Sequence, residues 1–366
     1  MSYDLIVIGA GPAGCSAAIE AVRNGASVLL LERGRFPRHK VCGEFVSAES
    51  LQLLEYLLAP EYRTLISDTP RIAQARIFSD GAEIPAEINP AAASIARHDL
   101  DFALWQSALL AGVGTRDQCS VQSVEPIADG FKVSTATESF EGRSVVNATG
   151  RWSFLTSAAI RARSGRHRWV GLKGHFRERN APGSVDLYFF PGGYCGVQPV
   201  TAAVNGSGAI INACAMVRAD VATNLSQVFA AHPALHARSS GWEPVMAQVS
   251  TSPLVFHQPE PVQDGIIQVG DSATFVDPFI GDGISLALRS GNLAARCLQT
   301  FFRNECSLPR VLSDYASAYR QQLAPVFHAS SKLRNFMRLP RFARRPVMSL
   351  LERTPAITRG LVRMTR

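Results

Sequence analysis

No stretch of the 366-residue chain approaches the roughly 20 uncharged apolar residues of a membrane-spanning helix. The apolar run at the N-terminus is too short and wrongly flanked for a signal peptide, so a cytoplasmic protein is expected. The seven cysteines are odd in number and include no CxxC pair, which excludes a disulfide framework and a zinc site of the usual spacing. The eight histidines show no HExxH, so no metal is expected. No Ser-His-Asp or paired-carboxylate pattern stands out either, leaving hydrolytic chemistry without carriers. Charged residues reach only 18%, below the roughly 25% of an ordinary soluble domain. Lysine is scarce, present only as Lys40, Lys132, Lys173 and Lys332.

What is present is apolar bulk. A hydrophobic fraction of 46% and a mean hydropathy of +0.05 fit a large interior or an apolar ligand space. At roughly 150 residues per domain, the length allows two or three units. The net charge of +7 is uneven: residues 332–366 hold ten Lys and Arg against the single acid Glu352. The remainder, with 27 basic and 29 acidic residues, is nearly neutral. A cationic tail on a neutral body does not make a nucleic-acid groove, and no nucleic-acid partner is expected.

Asp4 to Ile8 reads as a buried strand, followed by Gly9-Ala10-Gly11-Pro12-Ala13-Gly14 and an alanine-rich helix. A second strand from Ser27 to Leu31 ends in Glu32, 23 residues after Gly9, with Arg33 adjoining. In a dinucleotide fold the first glycine makes the turn, the second admits a pyrophosphate and the third lets helix and strand pack closely. The acid then holds a ribose hydroxyl. FAD and NAD remain equally open at this point.

The stretch from Gly270 to Gly291, GDSATFVDPFIGDGISLALRSG, follows a strand at Ile266 to Val269. It resembles the second FAD fingerprint of the para-hydroxybenzoate-hydroxylase-like flavoproteins. More narrowly, it resembles the branch of geranylgeranyl reductases, electron-transfer-flavoprotein-ubiquinone oxidoreductases and flavin-dependent halogenases. The resemblance covers roughly residues 1–330 and implies FAD. It gives Asp271, beside Gly270, a hydrogen bond to the ribityl chain. Gly281 and Gly283 would admit the isoalloxazine, Pro278 would border its reactive face, and the helix starting near Ile284 would point its positive end at the ring.

Further segments agree with that branch. Phe36-Pro37-Arg38-His39-Lys40-Val41-Cys42-Gly43-Glu44 resembles the FPR-K-CGE stretch that lies against the cofactor in geranylgeranyl-reductase-like proteins. Arg38 and Lys40 are either phosphate or flavin contacts or solvated cations; Cys42 is a packed small residue or a redox thiol. Arg97 resembles the family's arginine near the cofactor, and Ala148-Thr149-Gly150 the turn touching the adenine half. Thr149 replaces the Asp that hydroxylases use there with both FAD and NADPH, which puts direct NADPH use of that kind in doubt.

The resemblance implies an α/β fold: a discontinuous Rossmann-type FAD domain over 1–69, 96–157 and 263–302, with an antiparallel-sheet substrate domain over 70–95 and 158–262. Residues 303–366 form a basic helical C-terminal part. Gly193, Tyr194 and Pro199 keep the pattern of the GY-W-FP motif beside the flavin, but Gly196 and Gln198 replace its aromatics. Tyr194 is either a substrate contact or a strand aromatic. Halogenases also need a lysine between the first strand pair and the substrate sheet, and none occurs between Lys40 and Lys132. The expected activity is therefore an FAD-dependent oxidoreductase moving hydride between flavin N5 and a C–C bond of an apolar or carrier-bound small metabolite; the alternative is a hydroxylating monooxygenase. With no second GxGxxG, electrons come from NAD(P)H as a transient donor or from an external carrier. The tail from Arg338, with Phe342, Leu350, Ile357 and Leu361 among arginines, is a helical cap or a contact with an anionic membrane or acidic carrier domain.

Overall fold

The computed structural model describes residues 2–151, 155, 168–202, 208–337, 339 and 342–346. Its architecture is set by two sheets. The first has eight strands, with Val262–Gln263, Ile266–Gln268, Ser139–Asn147, Ser2–Ile8, Val28–Leu31 and Gly114–Arg116 in spatial order. Ser2–Ile8 pairs in parallel with both Val28–Leu31 and Ser139–Asn147. That explains its unbroken LIVI: a central parallel strand is covered on both faces and has no polar side to present. Helices Pro12–Arg23, Arg97–Leu110, Gly283–Phe302 and Leu308–Gln322 contribute to the core on one face. The hairpin of Ser123–Ile127 and Gly130–Ser134 covers the other.

The second sheet has nine strands, built mainly from Arg71–Ser79, Ala82–Ser94, Trp169–Glu178, Ser184–Phe190, Gly193–Pro199 and Ala209–Arg218. Asp80 and Gly81, both at positive φ, turn the first hairpin as the Asp-Gly pair suggests. One junction departs from the all-antiparallel expectation. Ser184–Phe190 runs parallel to Arg71–Ser79: the chain re-enters this sheet at Trp169–Glu178 and reaches Ser184–Phe190 from there, so no hairpin joins the two parallel strands. Phe45–Val46, within the stretch expected for the nucleotide domain, also pairs with this sheet. No described helix is long and apolar enough to cross a membrane. Positions 158–167 of the expected substrate domain, Arg338 and the tail beyond 346, all named above, lie outside the described residues.

The glycines fix how closely the layers approach. A Cβ on Gly9, whose φ is +103°, would lie 2.4 Å from the Ala148 carbonyl oxygen. One on Gly291 would lie 2.1 Å from the Ala13 carbonyl oxygen, where Gly283–Phe302 crosses Pro12–Arg23. The Ser16 hydroxyl donates to Leu288 O at 2.7 Å across the same contact. Gly291→Ala is therefore expected to push the two helices apart and cost about 1–3 kcal/mol of stability. Thermal unfolding of the variant checks this, with an unchanged midpoint contradicting the close contact.

Candidate functional site

Between the two sheets runs a continuous cavity of about 790 Å³. Every residue singled out for cofactor or reaction lines it, from Gly9 through Tyr194 to Ile284, except Gly14. Gly14 instead packs against Gly9, where a Cβ would meet the carbonyl oxygen at 1.8 Å.

One end of the cavity is cationic. Arg33, Arg38, Lys40 and Arg97 all line it beside the glycine turn. Arg97 opens its helix and is held in a two-pronged grip by the buried Asp101 carboxylate, at 2.6 and 2.7 Å. Its Nη2 stands 3.9 Å from where a Gly11 Cβ would be, so the guanidinium overhangs the turn. Glu32 accepts from the backbone N–H groups of Ala10 and Gly34 and pairs with Arg38 at 3.1 Å. Two Arg38 donors, Nε and Nη1, are buried without a hydrogen-bond partner. Pro12–Arg23 begins at an extended Gly11 with no side-chain cap, leaving its first N–H groups for a ligand. Orphaned guanidinium donors, an uncapped helix start and clustered cations fit the diphosphate of a dinucleotide.

The middle of the cavity is bordered by Gly270, Asp271, Pro278, Gly281 and Gly283. Asp271 faces Arg151 at 3.5 Å. Gly281 has φ +83°, and a Cβ there would strike Phe45 at 2.8 Å, so its missing side chain serves the turn and the Phe45 contact. A Cβ on Gly283 would meet nothing within 4 Å. That open space lies at the start of Gly283–Phe302, whose N-terminus has no side-chain cap. A flavin ring in this space would sit against the positive helix end. The cleft therefore fits FAD along its length.

The far end is the inner face of the second sheet. Ile77, Ile84, Ile88, Leu187 and Phe189 project into it, with Gly196 and Gln198 where the related motif carries aromatics. Tyr194 packs its ring against Phe189 and Phe279, at 5.5 and 5.6 Å. Burial, with the Asp277 carboxylate beside it, pushes the Tyr194 hydroxyl well up, so it stays protonated. Leu333 and Phe336 of Ala324–Met337 reach the same cavity from the C-terminal part.

Glu44 joins the two halves. It is fully buried at a left-handed backbone position, φ 64°. Its Oε1 accepts from the Arg97 N–H at 2.8 Å and from the fully buried Lys173; its Oε2 lies 2.8 Å from His175 Nε2. Burial raises this carboxyl, but His175 and Lys173 outweigh it and hold the group below the usual carboxylate range. Sequence reasoning did not assign Lys173 and His175. A signal existed: they stand two apart, hence on one face of the strand Trp169–Glu178.

Two predictions follow from these charges. Glu44→Gln leaves Lys173 buried without its counter-charge and is expected to cost about 3–5 kcal/mol, part of it regained by adding Lys173→Met. The wild-type pair stabilises fully above the unfolded carboxyl value near about 4.3 and loses that contribution as pH falls through the lower folded value. Chemical denaturation against pH reads both. Burial and the neighbouring Arg38, Arg97 and Arg33 pull Lys40 down to about 8 against the opposing effect of Glu32. A bound diphosphate favours the charged amine, so FAD affinity should be full below that value and about tenfold weaker near about pH 9. Lys40→Met should abolish this dependence, and a wild-type isotherm that is flat with pH would place the phosphates elsewhere.

Residues 4–45 match the model of the FAD dependent oxidoreductase family. The chain is 22% identical over 356 residues to digeranylgeranylglycerophospholipid reductase 2 of Methanopyrus kandleri, covering 91% of this chain and 86% of the relative. It is 24% identical over 320 residues to a 1H-pyrrole-2-carbonyl-(peptidyl-carrier protein) brominase of Pseudoalteromonas luteoviolacea, covering 81% and 77%. Among solved structures, a geranylgeranyl bacteriochlorophyll reductase-like protein of Thermoplasma acidophilum aligns with a TM-score of 0.79 at 20% identity, covering 100% of this chain and 95% of that one. A flavin-dependent brominase aligns with a TM-score of 0.75 at 21% identity, covering 99% and 98%. The match over residues 4–45 is to FAD dependent oxidoreductases, the cleft fits FAD, and the chain has the fold that a geranylgeranyl reductase-like protein and a flavin-dependent brominase share.

Proposed function

We propose that the protein is an FAD-dependent reductase or dehydrogenase that moves hydride between the flavin and a C–C bond of an apolar small metabolite. The observation carrying this reading is the contrast between the two ends of one cleft. Cations gather at the nucleotide end, while the sheet-facing end presents Ile77, Ile84, Ile88, Leu187 and Phe189. Lys40, at the nucleotide end, is the only lysine among the described lining residues. That distribution suits an uncharged substrate and does not supply the lysine that halogenation requires beside the substrate. Thr149 at the position of the hydroxylase Asp weighs against the monooxygenase alternative.

FAD, when bound, supplies the two-electron chemistry. The chain supplies position, charge and dryness. Arg38, Lys40 and Arg97 hold the phosphates; Tyr194 and Phe279 form a neutral aromatic wall beside the reacting space. Leu333 and Phe336 cover it and exclude water. The replacement of the motif's aromatics by Gly196 and Gln198 widens the space, so the substrate need not be a linear prenyl chain.

The test is single-turnover mixing of the reduced, FAD-loaded protein with a metabolite extract and with geranylgeraniol as a defined alkene, with and without oxygen and bromide. The expected product gains two hydrogens and forms without oxygen. A product that forms only with oxygen and gains an oxygen atom, or only with bromide and gains bromine, would sink the reading in favour of hydroxylation or halogenation.

A further inference from the structure

The buried group around Glu44 extends outward through three imidazoles on three different elements. The His39 ring meets His175 edge-on, with centroids 5.5 Å apart, and lies 4.9 Å from the His98 ring. His98 is 38% exposed, and its Nδ1 stands 2.7 Å from Asp99 Oδ1. His39 lines the cleft, and its Nδ1 is buried without a hydrogen-bond partner. A line of titratable rings thus leads from solvent to the cleft, with a second branch to the buried Glu44. The phosphate and substrate contacts described above make no use of it.

The surroundings of His39 are mostly cationic. Lys173 and His175 approach from the strand and His98 from the helix that also carries Arg97 and Asp99. Arg38, Lys40 and Glu44 share its own loop. Burial, then Lys173, His98 and His175, push His39 below the ordinary histidine range against the pull of Glu44. The ring is neutral near pH 7 for that reason. Negative charge appearing in the cleft acts in the opposite sense and draws a proton onto it.

We propose that His39, fed from solvent through His98 and backed by His175, takes up a proton when negative charge develops in the cleft on two-electron reduction of bound flavin. His39 then gives that proton to the substrate. This rests on the hydride-transfer reading above. Reduction of a C=C bond adds a hydride, with its electron pair, to one carbon and a proton to the other. The electrons come from a nicotinamide or a protein electron carrier. The proton leaves the His39 imidazolium, and the neutral ring regains one from solvent through His98.

Redox titration of the full-length FAD-loaded protein between about pH 6 and 9 gives the protons taken up per flavin reduced, from the slope of midpoint potential against pH. The wild type should take up about one proton more than His39→Asn over part of that range; equal counts would overturn the proposal. Should the Asn variant fail to hold FAD, the wild type alone decides. NMR titration of the His39 imidazole should move upward between oxidised and reduced protein, and an unmoved titration contradicts uptake at this ring. Neither readout uses a substrate, so both stand even if the C–C reduction reading fails, and that reading can survive their failure.

Discussion

A carboxylate buried away from solvent holds this molecule's two halves in register. Glu44 belongs to the loop that runs from the nucleotide site to the second sheet, and its oxygens bind one helix start and one strand. Removing two charges from water is costly, and the pair is retained only where geometry is good and remaining hydrogen-bonding groups are satisfied. Three partners on two oxygens meet that condition. The consequence reaches the cleft: by fixing the Arg97 N–H, Glu44 sets the start of the helix whose guanidinium overhangs the glycine turn. By tying Lys173 and His175, it draws the second sheet against the same loop. The cleft is continuous because this joint is.

On that joint rests a division of electrostatic labour. At the nucleotide end, burial and the crowding of Arg38, Arg97 and Arg33 together hold Lys40 at about 8. Such crowding is unfavourable without an anion and favourable with one, the signature of a preorganised phosphate site. At the sheet end the lining is uncharged, and a hydride moved there meets few competing proton donors. Beside the cleft lies the line of histidine rings from His98 through His39 to His175. The net charge of +7 describes neither end of this cleft, since the sequence outside residues 332–366 is close to neutral.

Much of this was legible from residues that act locally. The LIVI strand, the glycine turn and Glu32 are read together because a parallel strand, a tight turn and a helix start each demand particular side chains within a few positions. The Gly270–Gly291 stretch was legible for the same reason. Long-range pairing was not. Nothing near Val185 announces that its strand runs parallel to Arg71–Ser79, since the two are about a hundred residues apart and other strands of the sheet intervene along the chain. Nor did Glu44, read as the end of a motif, reveal that Lys173 and His175 would close on it from more than 120 positions away. Gly281 shows the converse: it lines the cleft, but the reason for the glycine lies in its backbone angle and in Phe45.

The central claim is that a single cleft holds FAD with its phosphates at the cationic end and its ring beside the uncharged sheet. A crystal structure of the FAD-loaded protein tests it most directly. The account predicts the diphosphate within hydrogen-bond reach of Arg38 and the start of Pro12–Arg23, and the isoalloxazine at Gly283. The space bounded by Ile84 and Leu187 should remain for substrate. A flavin ring seated among Arg33, Arg38 and Lys40, or a cofactor bound outside this cavity, would contradict it.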